Sequence, residues 1–195
     1  MIRIDALGDA CPIPVIKTKR ALSASLENET IQIYVDNEIA TQNLSKMASQ
    51  MGLSCTVKQH SNKEYSVDIV KGRGSEYVVK PAIVTSGSLV VVGSSAMGSG
   101  DEALGKNLMK AFIYTLTELQ PPPATLVFYN SGAFLSASGS NAMEDLRNLE
   151  TLGTRILTCG ACLSFYNLSP PAVGQVTNML EIVELMHSST NIIKP

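Results

Sequence analysis

No run of about 18 apolar residues occurs anywhere in the chain, so a membrane-spanning helix is not expected, although 45% of the residues are hydrophobic. The N-terminus has no charged segment leading into an apolar stretch with a small-residue cleavage site, so secretion is not expected and a cytoplasmic protein is. Charge excess is missing as well. Residues 1–70 carry 7 basic and 8 acidic side chains and residues 71–195 carry 8 and 9, and the net charge is −2. Without a clustered excess of Lys and Arg to neutralise phosphates, direct nucleic-acid binding is not expected, and the partners are expected to be proteins or small molecules. Cysteine is too sparse for a disulfide-stapled scaffold: Cys11, Cys55, Cys159 and Cys162 are scattered, and in a reducing compartment such residues are reactive or buried. The two histidines, His60 and His187, stand at no zinc-ligand spacing to the last two cysteines, so no metal is expected.

What is present divides into two patterns. Ile2, Ile4 and Ala6 alternate with polar residues as in a half-buried strand, and a helix is expected from about Pro12. On that helix Val15, Leu22 and Leu26 are expected on the buried face, and Lys17, Thr18 and Lys19 outward. Thr30 to Val35 alternates, Asp36-Asn37 offers a cap, and Ala40, Leu44, Met47, Ala48 and Met51 recur at helical spacing up to Gly52. Two more alternating runs follow, Leu53-Cys55-Val57 and Tyr65-Val67-Ile69, with a turn at 60–63. The order βαβαββ predicts a two-layer α/β sandwich over residues 1–70, with Cys55 in its core.

Residues 71–86 read as a linker, within which Tyr77-Val78-Val79 can form a short strand. From 87 to 195 strands alternate with helices, as in a doubly wound parallel α/β domain. Leu89 to Val92 is apolar throughout, as a strand buried on both faces should be. A long helix follows with Leu104, Leu108, Phe112, Leu116 and Leu119 expected inward. Loops at 93–101, 130–140 and 159–168 fall at the carboxyl ends of strands, where ligands bind in such sheets. Gly93, Gly98 and Gly100 are spaced rather like a phosphate-binding loop, but the Lys-Ser/Thr that such a loop needs is replaced by Ser99-Gly100-Asp101, and Asp101 is expected to cap the helix. Phe134 and nearby serines are expected in a mobile loop over the pocket.

Chemistry is expected first at Cys11. Pro12 and Pro14 mark a helix start, because proline is tolerated only in the first turn, and they put Cys11 at the N-cap. A thiol facing free N–H groups and the positive end of a helix dipole is favoured as thiolate, the nucleophilic form. The second candidate is Cys159-Gly160-Ala161-Cys162, with Cys159 at a strand end and Cys162 in the following turn, a spacing that lets two sulfurs meet. It lacks the Trp-Cys-Gly-Pro-Cys surroundings of thioredoxin.

Asp5-Ala6-Leu7-Gly8 followed by Cys11-Pro12-Ile13-Pro14 resembles the signature of the TusA/SirA family of small sulfur-carrier proteins. The resemblance covers about the first 70 residues. It implies the same βαβαββ fold and a Cys11 that accepts sulfur as a covalent persulfide and passes it on, with Gly8, Pro12 and Pro14 supporting the motif and no separate cofactor. Partners would then be sulfur-donor and sulfur-acceptor proteins, and Lys17, Lys19 and Arg20 offer either a docking face for an acidic partner or a solvated helix surface. Residues 159–168 with Val173-Gly174 and Asn178-Met179, and Met97-Gly98-Ser99-Gly100-Asp101, resemble the DsrE-like domain of the YedF family. That two-domain order implies sulfur or selenium metabolism, self-association through the second domain, and Cys159 and Cys162 as a second relay or resolving site. Two other readings stay open: a dithiol-disulfide redox protein working through Cys159 and Cys162, and a non-catalytic interaction module.

Overall fold

The structure is a computed structural model that describes residues 1–10, 12–72 and 87–195. It comprises two compact units, Met1–Pro81 and Ala82–Pro195. Most of the expected linker, including Tyr77-Val78-Val79, lies outside the described residues, as does Cys11. Among the described residues no helix is long and apolar enough to cross a membrane.

In the first unit the order is β1 (Ile2–Asp5), α1 (Ile13–Ala24), β2 (Thr30–Val35), α2 (Glu38–Gln50), β3 (Ser54–Ser61) and β4 (Glu64–Val70). The sheet runs β1-β2-β4-β3, with β1 parallel to β2 and the other pairs antiparallel. Register places Ile31 opposite Ile69 and Ile33 opposite Val67, and because side chains alternate across a strand these four share one face. They are fully buried there beneath Val15 and Leu22 of α1 and Leu44, Met47 and Ala48 of α2. The other face carries a polar ladder in which Tyr34 donates to Gln32, Gln32 donates to Asp68, and Lys58 pairs with Asp68. The strand alternation that marks these runs in the sequence thus has its physical cause in a sheet covered on one side only.

Four expectations for this unit are corrected. The N-cap of α1 is Pro12, not Cys11: Ile16 N–H bonds the Pro12 carbonyl at 3.1 Å, the first intrahelical acceptor, while Ile13 N–H closes a preceding turn onto Ala10 at 2.9 Å. Pro14 falls in the first turn, where its missing N–H costs nothing. Thr18 faces inward and is fully buried, since its hydroxyl donates to the Pro14 carbonyl at 2.7 Å and so carries no unmet polar group into the core. Leu26 lies past the end of the helix and is exposed. Cys55 is only half-buried and Val57 is exposed, because β3 is the sheet edge and the cover from α2 ends near Leu53.

The second unit contains β5 (Leu89–Val92), α3 (Glu102–Thr117), β6 (Thr125–Phe128), a 3-10 helix (Asn130–Ser136), α4 (Met143–Thr151), β7 (Arg155–Cys159), α5 (Gly160–Phe165), β8 (Gln175–Thr177), α6 (Met179–Ser188) and β9 (Ile192–Ile193). Its five strands are all parallel in the order β8-β7-β6-β5-β9. Core forms on both faces. Val90, Val92, Leu126, Phe128 and Ile156 pack with Met109, Ile113, Leu146 and Leu149, while Leu89, Val91, Val127, Leu157 and Cys159 pack with Ile182 and Leu185 of α6. Asp101 caps α3 by accepting from Leu104 N–H at 2.8 Å, and Asn178 caps α6 by accepting from Glu181 N–H at 3.1 Å. At the start of α3 the Lys106 ammonium, bonded to Glu102, lowers that exposed carboxyl from its ordinary range.

The buried stripe of α3 differs from the expected one. Gly105, Met109, Ile113 and Leu116 face the sheet, whereas Leu104, Leu108 and Leu119 are exposed. Both stripes repeat at helical spacing, so periodicity alone does not choose between them. Gly105 does: Met97 N–H bonds its carbonyl at 2.9 Å, and a Cβ there would lie 3.0 Å from Ala96 Cβ and 3.1 Å from the Met97 carbonyl oxygen. An added Cβ would press on that loop, so the close approach favours glycine here and sets the rotation of the helix. Accordingly Ile113→Ala is expected to destabilise the second unit by about 2–5 kcal/mol and Leu104→Gln by less than about 0.5 kcal/mol, measured by urea unfolding. Equal losses would contradict this rotation.

Candidate functional site

Cys11 lies outside the described residues, but the chain on either side of it is well defined. After β1, Leu7 N–H turns back onto the Asp5 carboxylate at 3.0 Å, and Gly8 N–H donates to Asp36 at 3.1 Å. Gly8 has φ +76, the left-handed region that glycine occupies without strain. Lys17 reaches back from α1 to the Asp5 carbonyl at 3.0 Å and to the Asp9 carboxylate. The segment before position 11 is therefore tied to β1, to the entry of α2 and to α1. Asp9 is neutralised by Lys17 instead of standing alone beside the motif.

Among the expected docking residues, Lys17 is committed to this loop, Lys19 is half-buried and also makes an interaction, and Arg20 is exposed. Two residues that sequence reading missed stand out. Leu7 and Ile13 are 46% and 42% exposed on the two sides of position 11. Ile13 sits between two prolines and Leu7 falls just past the strand alternation, so neither belongs to a buried face, and that break in phase was the available signal.

In the second unit, the carboxyl ends of β5, β6 and β7 meet. Cys159 ends β7 and is 1% exposed, packed in the core with Leu157 and Val127. Cys162 lies three residues on in α5, half-buried against the same cluster. Among the described residues Cys55, Cys159 and Cys162 are all outside any disulfide. Asn130, the first residue after Tyr129, takes φ +51 and donates its backbone N–H to Cys162 Sγ at 3.0 Å. Its side-chain oxygen accepts from Tyr166 O–H at 2.8 Å. Tyr166 in turn lies 4.8 Å from the Phe134 ring and 5.0 Å from the Phe165 ring. The expected mobile loop around Phe134 is instead a 3-10 helix with a ring contact to this site. Tyr166 falls within the 159–168 pattern, but Asn130 was not singled out in the sequence, because it lies 32 residues from the sulfur it contacts.

Three amides of the loop at 93–101 are spent on bonds within the unit. Ser95 N–H bonds Ser131 Oγ at 3.2 Å, Ala96 N–H bonds Ser94 Oγ at 3.1 Å, and Met97 N–H bonds Gly105, so none of these three amides is directed at an anion. No group of three or more potential metal ligands occurs among the described residues. What the site offers is a pair of thiols, one reachable and one enclosed. Reaction with iodoacetamide is expected to be at least about tenfold faster at Cys162 than at Cys159 in the reduced native protein, because access limits thiol chemistry. Peptide mapping after brief alkylation measures the order, and the reverse order would mean that the burial described here is wrong.

Residues 2–71 match the family model described as Sulfurtransferase TusA. A protein of Methanocaldococcus jannaschii, provisionally named a sulfur carrier, is 31% identical over 71 residues, which are 36% of this chain and 95% of that protein. Among solved structures, the SirA-like protein of Desulfitobacterium hafniense is 45% identical, with 37% of this chain and 99% of that chain covered and a TM-score of 0.35. The ychN protein from E. coli is 15% identical, with 56% of this chain and 99% of that chain covered and a TM-score of 0.44.

Proposed function

We propose, since the chain belongs to the TusA sulfurtransferase family through residues 2–71, that it is a persulfide carrier whose Cys11 accepts sulfur from a donor protein and yields it to an acceptor. The carrying observation is that the family match, residues 2–71, takes in all four strands and both helices described for the first unit and includes Cys11-Pro12-Ile13-Pro14. In the forward step the Cys11 thiolate attacks the outer sulfur of a donor persulfide, a new S–S bond forms and the donor departs as thiolate. In the return step an acceptor thiolate attacks the outer sulfur and Cys11 leaves. The exposed apolar residues Leu7 and Ile13, with Arg20 and Lys19 on α1, form the surface we assign to donor and acceptor docking.

The same reading extends to the second unit as a DsrE-like domain in a YedF-type arrangement, with Cys159 and Cys162 as a second thiol station and self-association through that unit. Its support is the residue pattern from 159 to 179 and the pair of thiols at the carboxyl end of β7. Selenium is an alternative cargo, since a thiolate binds either chalcogen in the same way. The test is mass spectrometry of the reduced full-length chain after exposure to a protein persulfide donor, and in a second arm to selenite with glutathione. Added sulfur on the Cys11 peptide supports the carrier reading, and its absence overturns it; uptake in the selenite arm assigns selenium as cargo.

A further inference from the structure

The thiol pair of the second unit is asymmetric in a way that fits one reaction better than onward relay. Cys162 sits half-buried with its sulfur held by the Asn130 N–H at 3.0 Å, and Asn130 is itself held by Tyr166. Cys159 is 1% exposed in the core behind it. Cys159 is the N-cap of α5 and Cys162 the third residue of that helix, two positions whose side chains converge on one turn. An incoming donor meets Cys162 only. A thiol enclosed as Cys159 is cannot pass sulfur to a bulky external acceptor, but it can attack its neighbour at a high effective concentration.

We infer that this pair discharges a persulfide as hydrosulfide, with Cys162 taking the sulfur and Cys159 displacing it. This rests on the reading of the chain as a handler of persulfides. First, the Cys162 thiolate attacks the outer sulfur of a persulfide, forming Cys162–S–S⁻ and releasing the donor as thiolate. Next, the Cys159 thiolate attacks Cys162 Sγ, the inner sulfur, so that the bond to the outer sulfur breaks and hydrosulfide leaves. The Cys159 proton ends on hydrosulfide or in solvent. The released sulfur gains two electrons, and the two thiols lose them in becoming the Cys159–Cys162 disulfide. A dithiol reductant must reopen that disulfide before the next turnover. Asn130 is a positioning residue here: its backbone N–H holds Cys162 Sγ in place, which keeps the inner sulfur turned to its neighbour.

The experiment uses the full-length chain carrying Cys11→Ser, with glutathione persulfide as donor, trapping of hydrosulfide by monobromobimane, and disulfide mapping of the digest. The Cys11→Ser chain is expected to release hydrosulfide above the donor's own decay, in step with formation of the Cys159–Cys162 disulfide. Adding Cys162→Ser, or separately Cys159→Ala, is expected to cut release at least about tenfold, and in Cys159→Ala the added sulfur collects on Cys162. Release from Cys159→Ala at the parental rate, added sulfur on Cys159 instead of Cys162, or release without the disulfide would each overturn the inference. If Cys159→Ala fails to fold, the disulfide map of the parent and the half-exposed Cys162→Ser variant still decide. The same digest of the unsubstituted chain separates the two readings. Sulfur on Cys11 without hydrosulfide release removes only this inference, whereas release without sulfur on Cys11 removes the carrier reading and keeps this one.

Discussion

Cys11→Ser is expected to lower sulfur loading of the first unit by at least about 100-fold while leaving its stability nearly unchanged, because a serine hydroxyl stays protonated where a cysteine thiolate attacks. Loading is read as the mass of one sulfur atom added to the tryptic peptide that holds position 11. Cys55→Ser serves as the comparison, since Cys55 is a half-buried edge-strand residue bonded to Ser45 at 3.5 Å and lies on β3, away from the motif in sequence. Its loading is expected to match the parent. Equal loss in both variants would point to a folding effect, and loading retained in Cys11→Ser would place the sulfur elsewhere. The stabilising ties of the preceding loop, Asp5 to Leu7, Asp36 to Gly8 and Lys17 to Asp9, do not involve the thiol. Unfolding midpoints should therefore separate chemistry from structure in this unit.

A large loss of stability is expected at Gly132. It lies in the 3-10 helix after β6, where a Cβ would sit 2.3 Å from the Val92 carbonyl oxygen and 3.1 Å from the Val92 carbonyl carbon. Both are backbone atoms at the end of β5, and Tyr129 N–H is already bonded to that same oxygen at 3.1 Å. Nothing there can swing aside as a flexible side chain would. Gly132→Ala must part β5 from the segment that follows β6, and we expect a loss of about 2–4 kcal/mol, or a fall in melting temperature of roughly 10 °C or more for a unit of this size. Hydrogen exchange on β5 and β6 peptides assigns the loss to this unit. Gly139→Ala is the control: its φ of +84 imposes strain on alanine, but no atom lies within 4 Å of the new Cβ, so only about 1 kcal/mol is expected. If the two variants lose the same amount, the close approach at Gly132 is not as tight as described. Because Asn130 is two residues away, Gly132→Ala should also loosen the N–H contact to Cys162 and raise the alkylation rate there.

Local chemistry was legible wherever a few neighbouring residues decide the outcome. Strand alternation and helical spacing sufficed for βαβαββ in the first unit, and the uninterrupted apolar run Leu89–Val92 for a parallel strand buried on both faces. Caps at Asn37 and Asp101 were readable because an N-cap binds an N–H only three residues on. The family resemblance is of the same kind, read from the short motif Cys11-Pro12-Ile13-Pro14. The N-cap of α1 shows the limit of such reading, since two prolines in one turn left its position ambiguous by a residue.

What only the tertiary structure decided are relations between residues far apart in the chain. Two apolar stripes on α3 were equally periodic, and the contact of Gly105 with the loop at 96–97 selected one. The four residues Cys159 to Cys162 contain no indication of which thiol is reachable. Strand β7 lies between β6 and β8, so its last residue is enclosed by neighbours on both sides, while the turn of α5 carries Cys162 out toward Asn130. Sequence periodicity reports how one element divides between core and solvent, and it holds no record of which other element supplies the core; that choice belongs to packing.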